Sequence, residues 1–213
     1  MINGGIQGRQ RFITLTKELF RKSIHLCSAV VPFFLSRFYY LTIAVLVFFL
    51  LFYTVSEFLR LKGINVPVVS AVTNAAARKR DENTFVKGPV TLCLGIILTA
   101  VVFREGESVG AACYAGIYAL SFGDGLASLF GKFMGKMRIP FTQGKTAAGS
   151  LACFAAIYIS CFFACRSFGT EGAFIALAAA TVGMFIEVLP LKDFDNIFIP
   201  LVIGAVAAFY LHR

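Results

Sequence analysis

Seven apolar stretches separated by polar segments constrain the fold of this chain more than any other feature. A helix needs about 20 apolar residues to cross a bilayer core, with roughly 17 as the lower limit. The predicted spans are Leu19–Ser36, Tyr39–Leu59, Thr84–Phe103, Val109–Phe122, Thr146–Cys165, Glu171–Leu189 and Asn196–Leu211. The fourth is short. We therefore expect a broken or tilted helix that continues to Met134, as is tolerated where helices line a cavity.

Composition supports an integral membrane protein. Of the 213 residues, 58% are hydrophobic and 15% are charged, whereas soluble domains average about 25% charged residues. We expect an all-α polytopic bundle that forms a single domain over residues 1–213, with residues 1–17 as a basic cytoplasmic segment. The six cysteines lie in apolar stretches without a CxxC pair, which favours packing roles over zinc or disulfides.

The distribution of basic residues predicts the orientation of the chain. Most of its 20 Lys and Arg residues fall on one side if the N-terminus is inside, as the positive-inside rule requires. This asymmetry also accounts for the net charge of +9, so we do not expect a nucleic-acid partner. We expect a multi-pass protein with its polar clusters facing the cytoplasm, in the cell (inner) membrane if the source is prokaryotic.

The first polar cluster lies at the inner end of the first span. Glu18, Arg21, Lys22 and His25 are spaced by three and four residues, so a helix places them on one face. Lys and Arg near a helix end commonly extend to the interface, and that explains Arg21 and Lys22 without a function. His25 could equally be a packed, hydrogen-bonded histidine.

The second cluster is the passage from Ser121 to Lys132. Asp124 stands between two glycines at the end of an apolar stretch, and a charge there is costly without a function. Asp124, Ser128 and Lys132 are spaced by four and align in a helix, while Gly131 permits close approach of a backbone or phosphate. This passage is the strongest indication of a site in the sequence.

Gly144-Lys145-Thr146 is similar to the end of a P-loop, but Ile139 stands where that motif needs glycine. Lys145 instead opens a membrane helix, whose N-terminus favours an anion. The loop from Arg60 to Lys87 is also basic and contains Asn74, Arg78, Lys79, Arg80, Asp81, Glu82 and Asn83. It is either a phosphate clamp, with Lys87 nearest the next span, or a positive-inside patch.

The last cluster contains Glu187, Asp193, Asp195 and Asn196 around the turn into the final span. Acidic residues at a helix start are common caps, which explains Asp193 or Asp195 but not Glu187. Taken together, the clusters combine carboxylates with Lys and Arg on one side of the membrane. Mg²⁺ and phosphoryl transfer use this mixture, so the residues predict a metal–polyphosphate site. The sequence contains no Ser-His-Asp pattern, HExxH or GxGxxG.

These residues resemble the dolichol kinase, phytol kinase and CTP-dependent diacylglycerol kinase family, which is related to the phosphatidate cytidylyltransferases. The resemblance rests on Glu18-x-x-Arg-Lys-x-x-His25, Gly123-Asp-x-x-Ala-Ser-x-x-Gly-Lys132, Gly144-Lys145 with Gly149-Ser150, and Glu187 followed by Asp195-Asn196. It extends from about Glu18 to Leu211. It implies CTP as the phosphate donor, Mg²⁺ or another divalent cation, and a membrane-embedded alcohol as the acceptor.

The resulting hypothesis gives each residue a role. Asp124 holds Mg²⁺ with Asp195 or Asp193, and Glu187 or Asp195 orients the lipid hydroxyl as the base. Four lysines hold the triphosphate: Lys132, Lys145, Lys87 and Lys22. Three small residues allow it to approach the backbone closely: Ser128, Gly131 and Gly144. His25 and Arg21 complete the polar wall, with Glu18 holding them in place.

Two other functions are consistent with parts of this pattern. A phosphatidate cytidylyltransferase would make CDP-diacylglycerol and release pyrophosphate instead of CDP. A transporter would need polar residues through the full depth of the membrane, whereas the charges here stop at the inner edge. The acceptor could be a polyprenol, a phytol-like alcohol or diacylglycerol.

Overall fold

The computed structural model describes residues 2–64, 66–76, 84–140, 142 and 144–211. Its helices are α1 (Ile2–Cys27), α2 (Val31–Arg37), α3 (Tyr39–Leu61), α4 (Pro67–Ala76), α5 (Gly88–Val102), α6 (Ala111–Tyr118), α7 (Gly125–Met134), α8 (Ala147–Ala164), α9 (Gly169–Val188) and α10 (Asp195–Leu211). A two-residue hairpin, β1 (Arg104–Glu105) and β2 (Ser108–Val109), precedes α6. The predicted all-α class is confirmed.

Four segments in the described ranges are long and apolar enough to cross a membrane: Tyr39–Leu61, Ala147–Ala164, Arg166–Val188 and Lys192–Leu211. Helix α5 has only 15 residues. The predicted fourth span is divided into α6, a π-helical segment (Ala119–Asp124) and α7, which ends at Met134. The structure therefore supports membrane integration, while the seven-span count and the inside location of the N-terminus stay predictions.

Close packing of α10 holds the bundle together, because this helix contacts α5, α6 and α9. Pro200 lies inside α10 and cannot donate a backbone N–H to the Asn196 carbonyl, four residues earlier. Gly95 of α5 lies against this carbonyl, and an added Cβ there would overlap it. Small residues at such contacts let helices approach closely.

The helices bring polar side chains to one end of the bundle. This polar end contains residues 18–25 of α1, the C-termini of α3, α7 and α9, and the N-termini of α5, α8 and α10. The opposite end contains the hairpin, where Ser108 donates a hydrogen bond to the carbonyl of Ser36 over 3.2 Å. Arg104 there donates to the hydroxyl of Tyr40 over 2.7 Å.

Candidate functional site

A cavity of about 360 Å³ lies at the polar end, between α1, α7, α8 and the α9–α10 connection. Its charged and hydroxyl-bearing lining residues are Glu18, Arg21, Lys22, Asp124, Ser128, Lys132, Lys145, Thr146, Glu187, Lys192 and Asp195. Most residues of the predicted site therefore come together in one place. Gly131 and Gly144 line the same cavity.

Asp124 is buried at the inner wall of this cavity, where the π-helical segment meets α7. Lys22 donates a hydrogen bond from Nζ to Oδ2 of Asp124 over 2.5 Å, and only 1% of Lys22 is exposed. The Nδ1 atom of His25 lies 3.2 Å from the same oxygen, without the alignment of a hydrogen bond. Lys22 and His25 of α1 therefore lie against the carboxylate of Asp124, the strongest site candidate in the sequence.

Glu18 connects α1 to α7. Its carboxylate accepts hydrogen bonds from Arg21 over 2.5 Å and from Ser128 over 2.8 Å. Nζ of Lys132 lies 2.9 Å from its second oxygen. As the four-residue spacing predicts, Asp124, Ser128 and Lys132 all contact α1. One carboxylate thus positions two cations at the cavity.

Lys145 reaches the cavity from a loop that folds back on itself. Ile139 donates its N–H to the carbonyl of Lys145 over 2.9 Å. Nζ of Lys145 donates to Oε1 of Glu187 over 2.5 Å, while Ser150 donates to Oε2 over 3.2 Å. Burial lowers the pKa of Lys145, but the charge and hydrogen bond of Glu187, together with the charges of Asp124 and Asp195, outweigh burial and raise that pKa above its usual value. Lys145 is therefore a firmly held cation.

The N-terminus of α8 borders the cavity. Thr146 caps the helix by accepting the N–H of Gly149 over 3.2 Å. An added Cβ at Gly149 would come within 2.8 Å of the Ala127 carbonyl, so glycine is needed for the contact with α7. Gly144 has a φ of +84°, which glycine adopts without strain. The N–H groups of Ala147 and Gly149 are bonded to Met137 and Thr146, so the terminus favours an anion mainly through the positive end of the helix dipole.

Asp195 begins α10 and differs from the other cavity carboxylates. It accepts the N–H of the adjacent Asn196 over 2.9 Å. Among the described residues no cation lies within ion-pairing distance of it, in contrast to Glu18, Asp124 and Glu187. Asp195 is therefore the cavity carboxylate that is most available to a ligand.

Some predicted residues lie elsewhere. Lys87, which precedes α5, is not among the described residues that line the cavity. Asp193 and His25 line a separate small recess between α1, α4 and α5, which also includes Arg21. The placement of Lys87 follows from its position before the Gly88–Pro89 helix start. Arg78, Lys79, Arg80, Asp81, Glu82 and Asn83, which the sequence placed in a possible phosphate clamp, lie outside the described residues.

Two polar residues of the structure were not among those predicted from the sequence. Lys192 lines the cavity and has a φ of +57°, which is uncommon for a residue with a side chain. Its position two residues after Pro190, in the turn between two spans, was a usable signal. Glu57 is fully buried and binds Arg60 through both carboxylate oxygens. A carboxylate within an apolar span was the signal for it.

The donor set can be compared with the needs of a divalent metal. The described residues contain no group of three or more His, Cys, Asp or Glu side chains that could hold a metal by themselves. Mg²⁺ is usually held by one or two carboxylates together with phosphates and water. Asp124 and Asp195 line the same cavity, so these residues fit Mg²⁺ that arrives with a polyphosphate. Asp193 lies on the recess instead.

Comparisons with known proteins point to one group of enzymes. Probable phytol kinase 1 of Glycine max is 28% identical over an alignment of 170 residues, which covers 73% of this chain and 54% of that protein. Phytol kinase 1 of Arabidopsis thaliana is 27% identical over 163 residues, 71% of this chain and 52% of that protein. Probable phytol kinase 1 of Oryza sativa subsp. japonica is 25% identical over 154 residues, 65% of this chain and 47% of that protein.

All three relatives are chloroplastic by name. No family model matches the chain, and no solved structure matches it. The chain spans about half the length of the curated relatives it matches. The resemblance to the dolichol, phytol and diacylglycerol kinase family predicted from Glu18, Asp124 and Glu187 is thus confirmed through its similarity to phytol kinases.

Proposed function

We propose that this chain is a membrane-embedded lipid-alcohol kinase, which transfers a phosphoryl group from CTP to an isoprenoid alcohol at the cytoplasmic edge of the bilayer. The observation that carries the proposal is the cavity at the polar end, where cations and carboxylates from five helices converge. The similarity to phytol kinases supports the same class of reaction. The relatives' name supports an isoprenoid alcohol over diacylglycerol.

The cations of the cavity suit a triphosphate. Arg21, Lys22, Lys132 and Lys145 are each held by a carboxylate within 2.9 Å. Charge-assisted hydrogen bonds of this kind fix the direction of long, flexible side chains. A phosphate that enters the cavity would therefore meet cations that are already oriented, which lowers the entropic cost of binding it.

Asp124 is the residue that would hold Mg²⁺, with phosphate oxygens and water as the other ligands of the ion. When bound, this ion supplies charge neutralisation on the phosphate oxygens. Lys22 is closely paired with Asp124, so the two residues form a unit in which Lys22 can also contact phosphate. The N-terminus of α8 lies at the same cavity, and the positive end of its helix dipole favours the phosphates of the donor.

Asp195 is the better base of the two predicted candidates. Both oxygens of Glu187 are engaged, by Lys145 and by Ser150, so Glu187 serves best as the residue that positions Lys145. Asp195 accepts only a backbone N–H among its described contacts. In the proposed step the alcohol oxygen bonds to the γ-phosphorus, the bond to the β-phosphate oxygen breaks, and CDP leaves. The hydroxyl proton passes to the Asp195 carboxylate.

The decisive experiment uses the purified chain in detergent with Mg²⁺, γ-³²P-CTP and a panel of phytol, a polyprenol, diacylglycerol and phosphatidate. We expect label in an alcohol, with CDP formed in equal amount. Labelled pyrophosphate that appears only with phosphatidate would instead identify a cytidylyltransferase. A parallel assay with γ-³²P-ATP tests the nucleotide. No transfer from either nucleotide to any alcohol would overturn the kinase proposal.

A further inference from the structure

A second cavity of about 400 Å³ lies on the apolar side of the bundle, away from the charged residues. We call it the tail groove. One wall is formed by Tyr118, Phe122 and Leu126, which follow one another by four residues through α6, the π-helical segment and α7. Its volume lies within the range of about 300–1,000 Å³ that is typical of small-molecule sites.

The floor and the second wall come from α8. Ala156 and Ser160 form the floor, and Ile159 and Phe163 form the wall. Each pair is separated by four residues, so each follows the axis of the helix. The groove is therefore a trough that is parallel to the helices and suits a linear chain. Ser160 donates its hydroxyl to the Ile157 carbonyl over 3.2 Å, which satisfies this donor.

The groove opens toward the lipid-facing surface. Ile159 and Phe163 at its edge are 55% and 60% exposed, whereas Ala156 and Ser160 on its floor are 8% and 7% exposed. A chain could therefore enter sideways from the bilayer and reach the floor. An apolar surface of this shape gains free energy by contact with an apolar ligand, because its small floor residues leave space that no other described residue fills.

The groove and the polar cavity share one turn of helix. Phe122 and Leu126 line the groove, while Asp124 between them lines the cavity. The π-helical segment ends at this turn, and such distortions are frequent at functional sites. From Tyr118 to Leu126 the groove runs toward the polar end, so a chain lying in it would present its terminal group beside Asp124.

From these observations we infer that the tail groove binds the isoprenoid chain of the acceptor alcohol, an inference that rests on the proposed function. The floor favours a branched chain over a straight acyl chain. Methyl branches of an extended isoprenoid recur every four carbons, about 5 Å, which is close to the rise of about 6 Å over the four residues from Ala156 to Ser160.

The test measures binding without turnover. The full chain in nanodiscs is irradiated with a C20 isoprenoid alcohol that carries a diazirine near its tail end, and the labelled peptides are mapped. We expect labels within residues 118–126 and 156–163, with competition by unlabelled isoprenoid alcohol but not by a straight C16 alcohol or by phosphatidylcholine. Labels outside these segments, or equal competition by phosphatidylcholine, would overturn the inference.

A matched pair of variants sharpens the result. A156F fills the floor, whereas A155F makes the same change at the adjacent residue, which is exposed and does not line the groove. We expect A156F to lower the labelling yield at least about tenfold and A155F to leave it within about twofold of the unmodified chain. Equal labelling yields in the two variants would refute the inference that the tail groove binds the isoprenoid chain.

The two proposals fail separately. If the unmodified chain transfers phosphate to no alcohol, the proposed function is wrong, whatever the labelling shows. If it transfers phosphate but A156F has the same KM for phytol as the unmodified chain, the proposed kinase activity is supported. The inference that the tail groove binds the isoprenoid chain is then wrong. Thermal denaturation of both variants in detergent establishes that each is folded, and the KM for CTP should be the same in both.

Discussion

Two carboxylates buried in this apolar bundle differ in what surrounds them. Glu57 of α3 is fully buried, and its oxygens accept hydrogen bonds from Arg60 over 2.7 and 2.9 Å and from the N–H of Val86 over 2.9 Å. Arg60 in turn donates to the carbonyl of Thr84 over 2.9 Å. This network ties the end of α3 to the segment before α5 and uses every oxygen of the carboxylate.

Asp124 is buried to a similar degree, with 5% exposed, and is also paired with a cation. Its partners are side chains of α1 rather than backbone groups, and it borders the polar cavity. A buried charge therefore does not by itself identify a site. The distinguishing feature is whether the carboxylate is used in hydrogen bonds that hold the backbone in place or lines a cavity that a ligand can enter.

The largest expected effect is at Asp124. D124N removes the carboxylate that is proposed to hold Mg²⁺ beside the phosphates, and we expect kcat/KM for phosphoryl transfer to fall about 10²–10³-fold or more. The variant also leaves Lys22 as a buried cation without its partner, which destabilises the fold. Activity must therefore be measured per folded molecule, after size-exclusion chromatography.

The double variant K22M/D124N separates these two consequences. It removes both charges of the pair, so we expect the melting temperature to return toward that of the unmodified chain while activity stays low. If the double variant regained substantial turnover, Asp124 would have only a structural role, like Glu57, and the distinction between the two carboxylates would be lost.

The next effect compares the two predicted bases. D195N should lower kcat about 10²-fold with little change in the KM for CTP, since general-base catalysis contributes about 10²–10⁴-fold. E187Q should mainly raise the KM for CTP, because it releases Lys145 from its position. Steady-state kinetics with varied CTP at saturating alcohol decide the matter. The reverse pattern would make Glu187 the base.

A smaller effect compares two lysines that the sequence treats alike. K145M should raise the KM for CTP by about 10–100-fold, the loss of one charge-assisted hydrogen bond. K87M should change it less than about twofold, because Lys87 does not line the cavity among the described residues. Equal effects of the two variants would show that the bound donor extends beyond the polar cavity, toward the start of α5.

Sequence spacing predicted the parts of the site that depend on a single helix. The alignment of Asp124, Ser128 and Lys132, and the shared face of Glu18 and Lys22, both follow from helical periodicity. Spacing could not predict which helix faces which. The pairings of Lys22 with Asp124 and of Lys145 with Glu187 depend on tertiary packing between distant segments.

The same limit explains the residues that were placed differently. Lys87, Asp193 and Lys192 all lie near helix ends, where one residue more or less in a turn moves a side chain into or out of the cavity. The membrane spans show a related effect. The short fourth span predicted a broken or tilted helix that continues to Met134, and α6, the π-helical segment and α7 follow this course. The position and form of the break depend on contacts with α1 and α8, which spacing does not reveal.

The smallest expected effect on activity is at Glu57, where stability should change instead. E57Q removes the charge opposite Arg60 and weakens the bond to the N–H of Val86. We expect a loss of about 1–3 kcal/mol, seen as a melting temperature several degrees lower in detergent. Activity per folded molecule should stay within about twofold, since Glu57 does not line the polar cavity. A tenfold loss of kcat with an unchanged melting temperature would mean that fastening α3 to the segment before α5 is itself part of the site. Glu57 would then contribute to activity, as Asp124 is proposed to do.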